Sequence, residues 1–224
     1  MDSRIHKSRL FTGMDDGELK SCLDCCGAAT LRYRQGAILF QQGDQPTRLF
    51  VLLEGIVSVC QDTSAGKRTL LASFDTPGDL FGEVYAFLDR AEYEQYALAE
   101  SDVTVLELPK AFLYKRCGQG CAHHSRLTQN MLAILAEKAY AMNRKVQLLS
   151  LPTLRHKVAA LVLRNAGPDG VVRLRMTREE MADYLGVARP SLSRELLRMQ
   201  DEGLLTLDGR RIALPDRALL EELL

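Results

Sequence analysis

Residues 177–211 read Thr-Arg-Glu-Glu-Met-Ala-Asp-Tyr-Leu-Gly-Val-Ala-Arg-Pro-Ser-Leu-Ser-Arg-Glu-Leu-Leu-Arg-Met-Gln-Asp-Glu-Gly-Leu-Leu-Thr-Leu-Asp-Gly-Arg-Arg. Thr177 with Glu180 three residues on is a capping-box pair, which starts a helix. Met181, Tyr184 and Leu185 return at helical spacing, and Gly186 supplies the left-handed residue that ends the helix. Val187 plugs the turn. A second helix is predicted from Arg189 to about Glu202, with Pro190 tolerated in its first turn. Leu192, Leu196, Leu197 and Met199 or Gln200 are expected to face a core, and Arg189, Ser191, Ser193, Arg194 and Arg198 to face water. Asp208-Gly209, between the apolar runs 203–207 and 211–214, signals a tight hairpin. Two short helices, a glycine turn and a hairpin make a winged helix-turn-helix, which sets its second helix in the DNA major groove.

That reading nominates Thr177, Arg189, Ser191, Ser193, Arg194 and Arg210 for contact with DNA. Arg194 is the main base-reading candidate, because a guanidinium bridges O6 and N7 of guanine with two hydrogen bonds. Ser191 and Ser193 suit a base edge or a phosphate, and Arg189 suits either. Arg210 and Arg211 at the hairpin tip are placed for phosphate contact. Total charge gives no hint of this. Residues 150–224 carry twelve Lys and Arg against eleven Asp and Glu, a net of +1. A DNA footprint must come from how these charges are sorted.

The chain has 224 residues, enough for two modest domains, with zero formal net charge and 26% charged residues. No apolar run approaches the ~20 residues of a membrane span. The start, Met-Asp-Ser-Arg-Ile-His-Lys, has no apolar signal region, so a cytoplasmic protein of bacterial type with no membrane partner is expected. Six cysteines in that setting are expected to be reduced.

From Leu31 to Leu108 the pattern changes to short strands broken by glycine. Gly36, Gly43-Asp44, Gly55, Gly66 and Gly78-Asp79 punctuate the runs 37–40, 49–53, 56–59, 69–72 and 103–108. Regular turn spacing of this kind indicates an all-β barrel or sandwich. A cupin-like metal enzyme on such a roll needs clustered histidine ligands. The four histidines lie at 6, 123, 124 and 156, outside the sheet region, so no enzyme is expected. Residues 122–149 contain neither Gly nor Pro and read as one long helix. Leu132, Leu135, Ala139, Met142, Val146 and Leu149 form a heptad seam suited to pairing with a second copy. A second stripe, Leu127, Met131, Ile134 and Ala141, is expected to face the sheet domain. Pro152 marks a hinge.

The order of glycine-rich roll, long helix and winged helix-turn-helix, with Pro77-Gly78-Asp79-Leu80-Phe81-Gly82-Glu83, resembles the cyclic-AMP receptor/FNR (Crp/Fnr) family of bacterial transcription regulators. The resemblance covers nearly the whole chain. It implies an α+β fold in three parts. Residues 1–121 would be a double-stranded β-helix (jelly-roll, cyclic-nucleotide-binding-like) sensor domain, 122–149 the dimerisation helix, and 150–224 the DNA-binding domain. It further implies a homodimer that reads a two-fold symmetric site on double-stranded DNA, contacts RNA polymerase, and is reoriented by a small-molecule effector. Arg194 falls at the family's recognition-helix arginine, and Ser193 matches the FNR-type branch. Pro190 replaces the glutamate with which many members read a base, which implies a different half-site.

The resemblance places an effector pocket at Gly82 and Glu83, with Met142 and Asn143 where the family has a Thr-Ser purine contact. Members that bind cyclic nucleotides hold the phosphate with an Arg-Ser or Arg-Thr pair about ten residues after Gly-Glu. Here that position reads Tyr93-Glu94-Gln95, Glu94 repels phosphate, and Arg90 would need a shifted loop. The expected effector is therefore a small molecule other than cyclic AMP, and the cofactor is unknown. A haem, metal or thiol redox sensor is the alternative, because Cys117, Cys121, His123 and His124 group two thiols and two imidazoles. The Cys22, Cys25 and Cys26 set reads as packing, as a metal site or as a redox pair. An alternative of another class is a ligand-binding signalling module that reads no DNA.

Overall fold

The computed structural model describes residues 2–62, 68–88, 91–114, 122–174, 176–209 and 211–224, with the side chains of 86, 113, 114 and 122–124 also outside the description. The chain divides into two compact units, residues 1–136 and 137–224.

In the first unit, two 3-10 turns (Ser3–Lys7 and Arg9–Phe11) lead into helix α1 (Asp16–Cys26). Asp15 and Glu18 cap α1 reciprocally, and left-handed Gly27 ends it. Eight strands follow: β1 (Ala29–Tyr33), β2 (Ile38–Phe40), β3 (Arg48–Glu54), β4 (Val57–Asp62), β5 (Arg68–Phe74), β6 (Leu80–Phe81), β7 (Tyr96–Ala99) and β8 (Val103–Pro109). Short helices α2 (Glu83–Phe87) and α3 (Ala111–Tyr114) flank the last two. The strands form two antiparallel four-stranded sheets, ordered β1-β8-β3-β6 and β2-β7-β4-β5. Successive residues of β3 point to opposite faces, as strand geometry requires. Leu49, Val51 and Leu53 join a core with Leu19, Cys22, Leu127 and Met131. Phe50 and Leu52 turn into the roll with Phe40, Phe81, Tyr85, Tyr93 and Val105. Because both of its faces are covered, β3 reads as a continuous apolar run over 49–53 rather than as an alternation.

Helix α4 (Ala122–Leu149) is 28 residues long and belongs to both units. Its stripe of Leu127, Met131 and Ile134 is buried in the core of the first unit. Ala141 does not continue that stripe; it is exposed. Along the other expected stripe, Leu135 packs partly on the core. Leu132, Met142 and Val146 are 62%, 69% and 60% exposed.

The second unit adds α5 (Leu154–Asn165), β9 (Val171–Val172), α6 (Arg178–Leu185), α7 (Arg189–Asp201), β10 (Thr206–Asp208), β11 (Arg211–Ala213) and α8 (Arg217–Glu221). Thr153 caps α5, whose residues Val158 to Leu163 are all buried. The hairpin β10–β11 carries a third strand, β9, on its β11 edge. One core position differs from expectation: Leu197 is 53% exposed. Leu192, Leu196 and Met199 already fill the one face of α7 that meets the core, and Leu197 falls between them on the turn. Among the described residues no helix is long and apolar enough to cross a membrane.

Gly78 fixes a close approach in the first unit. Its φ is +105°, and an added Cβ would lie 2.5 Å from the Lys7 carbonyl oxygen. Its N–H donates to the Leu52 carbonyl, tying the turn before β6 to β3. Gly78→Ala is expected to destabilise the protein by at least about 1–3 kcal/mol, measured as a lower urea midpoint, because it adds backbone strain and a clash with main chain together.

Candidate nucleic-acid interface and effector pocket

Helix α6 begins where Thr177 Oγ1 accepts from the Glu180 N–H at 3.2 Å and Glu180 Oε2 accepts from the Thr177 N–H at 2.6 Å. Thr177 is thus engaged as a cap. Gly186 (φ +65°, ψ +38°) closes the helix, and Val187 N–H donates to the Ala182 carbonyl. This turn sets α6 and α7 around a shared core of Met181, Leu185, Leu192 and Leu196. Pro190 sits in the first turn of α7.

On α7, Arg189, Arg194 and Arg198 are exposed, while Ser191 and Ser193 are half-buried. The Arg194 guanidinium folds back along the first turn, with Nε 3.3 Å from the Pro190 carbonyl and Nη2 3.5 Å from Ser191 Oγ. Both contacts are long and neutral, so the cation is held loosely over the start of the helix. Glu195 within α7 and Glu202 at its C-cap are tied elsewhere. Arg155 on α5 donates from Nε to Glu195 at 2.7 Å, and its two Nη atoms grip both Glu202 oxygens at 2.6 and 2.7 Å. Arg198 lies 3.9 Å from the same Glu195. One half-buried arginine therefore takes up Glu195 and Glu202 and leaves the first two turns of α7 cationic. Sequence reading missed Arg155. Its glutamates lie forty and forty-seven residues further along the chain, so no local pattern marked it.

The hairpin joins Asp208 to Arg211 through two residues, with Gly209 at φ +55°. Arg211 is exposed at the start of β11. Arg210 lies outside the described residues.

In the roll, Gly82 (φ +77°) caps α2, and a Cβ there would approach the Phe50 ring to 3.1 Å. Glu83 is buried, at 2% exposure. Tyr93 fills the interior beside them. Its ring stacks on Phe40 at 4.1 Å and meets Tyr85 edge-on at 4.9 Å, and its hydroxyl donates to the Arg48 carbonyl at 3.2 Å. Burial pushes the Tyr93 phenol up to about 12. Glu94 is exposed. Met142 and Asn143 are exposed on α4, in the second unit, whereas Gly82 and Glu83 belong to the first.

Sequence reading also missed a polar cluster at the same end of the roll. Glu107 accepts from Tyr33 Oη at 2.7 Å and from Arg48 Nη1. The three line a cleft of about 530 Å³ with Phe40, Phe50 and Tyr93. A carboxylate in phase with inward-facing Val103 and Val105 was the available signal.

Cys22 and Cys26 are buried in the core of the first unit and Cys25 is exposed. Burial pushes the Cys26 thiol up to about 11, and its Sγ–H donates to the Leu23 carbonyl. A protonated, hydrogen-bonded thiol packs as an apolar group and is a poor metal ligand. Among the described residues no group of three His, Cys, Asp or Glu could hold a metal ion. Cys117 and Cys121, the side chains of His123 and His124, and Arg90 lie outside the described residues.

Comparison with known proteins gives a consistent picture. Residues 30–119 match the family model of the cyclic nucleotide-binding domain, and residues 156–223 that of the Crp-like helix-turn-helix domain. The chain is 29% identical over 198 residues to the cyclic AMP receptor protein of Thermus thermophilus, covering 85% of this chain and 86% of that one. It is 25% identical over 197 residues to the anaerobic regulatory protein of Aggregatibacter actinomycetemcomitans, covering 85% and 74%. The crystal structure of the Thermus thermophilus catabolite activator protein superposes with a TM-score of 0.54 at 28% identity, covering 96% of this chain and 97% of that chain.

The Arg155 anchor makes a pH-dependent prediction. Arg155 holds the Glu202 carboxyl below its usual range. A carboxylate lowered in the folded state stabilises the fold above its unfolded pKa, and the effect fades as pH falls through the folded value. Arg155→Met is expected to lower the urea midpoint near neutrality. The gap to wild type should close as pH drops below about 4, the ordinary glutamate range.

Proposed function

Since the chain belongs to the Crp/Fnr family and is a DNA-binding transcription regulator with a cyclic-nucleotide-binding-type sensor domain, we propose that it acts in the cytoplasm as a homodimer. The dimer reads a two-fold symmetric site and recruits or blocks RNA polymerase. It is a regulator rather than an enzyme. The observation that carries this reading is the charge sorting on α7. Glu195 and Glu202 are held by Arg155, while Arg189 and Arg194 stand over the first two turns with no carboxylate on them among the described residues. That is the end of a recognition helix that meets base edges.

In this account Arg194 reads a base, Arg189, Ser191 and Ser193 set the register on phosphates or base edges, Thr177 brings the start of α6 to the backbone, and Arg210 supports the wing. The exposed Leu132, Met142 and Val146 pair with the same residues of a second copy, since a period of 3.5 along one helix favours a parallel two-helix seam. The effector is a small molecule other than cyclic AMP. A buried tyrosine and an exposed glutamate occupy the position where the family places its phosphate-holding pair, and neither supplies the bidentate donor that a cyclic phosphate needs.

Selection from random duplex DNA tests the reading directly. Wild type should enrich a two-fold symmetric motif with half-sites one helical turn apart, ~34 Å. Arg194→Ala should cost ~1–3 kcal/mol of specific binding and relax a single base position in each half-site. Sequence preference that survives the substitution intact would remove Arg194 from the reading role.

A further inference from the structure

The second unit contains a cleft used by neither the DNA-reading face nor the roll. It measures about 240 Å³ and is walled by three helices: Tyr140, Arg144 and Leu148 from α4, Leu161 and Arg164 from α5, and Tyr184 from α6. Among the described residues no carboxylate lines it.

Two cations line it, Arg144 and Arg164, and a third, Lys145, stands near its Tyr184 wall. The Arg144 guanidinium lies 5.8 Å from the centre of the Tyr140 ring, and Lys145 Nζ lies 5.0 Å from that of Tyr184. Arg164 Nη1 donates to the main-chain carbonyl of Arg144 at 3.0 Å. Within the described residues, the contacts of all three are with rings or a carbonyl. Arg164 stands in the last turn of α5, where the helix dipole attracts a cation and holds it at the mouth of the cleft. Like charges brought together without a counter-ion repel one another, and a bound anion relieves that repulsion.

We propose that this cleft binds a compact planar anion, an aromatic ring bearing one carboxylate or phosphate group. The guanidinium forks of Arg144 and Arg164 match the paired oxygens of either group. The Tyr140 and Tyr184 rings and the side chains of Leu148 and Leu161 offer flat apolar faces to the ring. The volume lies below the ~300–1,000 Å³ of drug-sized sites, which limits the ligand to about one ring and its acidic group. Binding joins the end of α4 to α5 and to the first helix of the helix-turn-helix, so the ligand stiffens the base on which the recognition helix stands. The proposal rests on the geometry of this unit alone and does not depend on which effector the roll takes.

Calorimetric titration of the full chain tests it, with phenyl phosphate and benzoate as probes and inorganic phosphate and phenol as controls. The aryl anions are expected to bind one per chain. Phenol and inorganic phosphate should bind at least about tenfold more weakly, since each lacks half of the recognition. Arg144→Gln with Arg164→Gln should weaken the aryl anions by about tenfold or more. Both side chains reach the surface, and if the double variant fails to fold, Arg164→Gln alone carries the test, because that residue is exposed. Equal binding of phenol, or undiminished binding by the variants, overturns the proposal. So does a uniform loss of DNA affinity in the variants without any probe, which would make these cations contacts to the DNA backbone.

Discussion

A helix with two apolar stripes needs two apolar surfaces to cover it. Helix α4 finds the first within its own chain, where Leu127, Met131 and Ile134 are buried against the roll. For the second, Leu132, Met142 and Val146 remain open to water. Fully burying one such side chain is worth about 1.5–3 kcal/mol, so an open row of them is a strong drive to pair. The proposed dimer follows from that drive, and so does the symmetry of the DNA site. A two-fold axis along the seam would present two recognition helices to two half-sites.

The DNA-reading unit depends on a second constraint, the placement of charge. Its total charge is close to neutral, so affinity for a polyanion has to be local. Arg155 contributes to this from behind by holding Glu195, which closes the second turn of α7, and Glu202, just past its C-terminal end. The same contacts brace α7 against α5. One side chain thus serves both orientation and electrostatics, which is why its substitution reaches beyond the pair it breaks.

Much of this was legible in the sequence. Thr177, Glu180 and Gly186 mark α6 because caps are local chemistry, and Asp208-Gly209 marks the hairpin for the same reason. The 3.5-residue period of α4 made its two stripes visible without any partner. The parts that could not be read depend on distance along the chain. Arg155 meets its glutamates forty and forty-seven residues away. Glu107 meets Tyr33 across seventy-four. Strands β6 and β9, two residues each, are too short to show a period. Leu197 looked like core because three neighbouring apolar residues share the helix, and only packing shows which of them lies on the turn facing water. In the roll, Tyr93 could be seen to replace a phosphate-holding residue. That its ring would be stacked into an aromatic core required the fold.

The seam on α4 is the claim on which the account turns, and sedimentation equilibrium of the full chain tests it most directly. Wild type is expected to run at twice the chain mass at micromolar concentration. Met142→Glu, which places a charge in the middle of the seam on an otherwise exposed side chain, should run as a folded monomer. A wild-type chain that stays monomeric at every concentration, or a Met142→Glu dimer as stable as wild type, would contradict it.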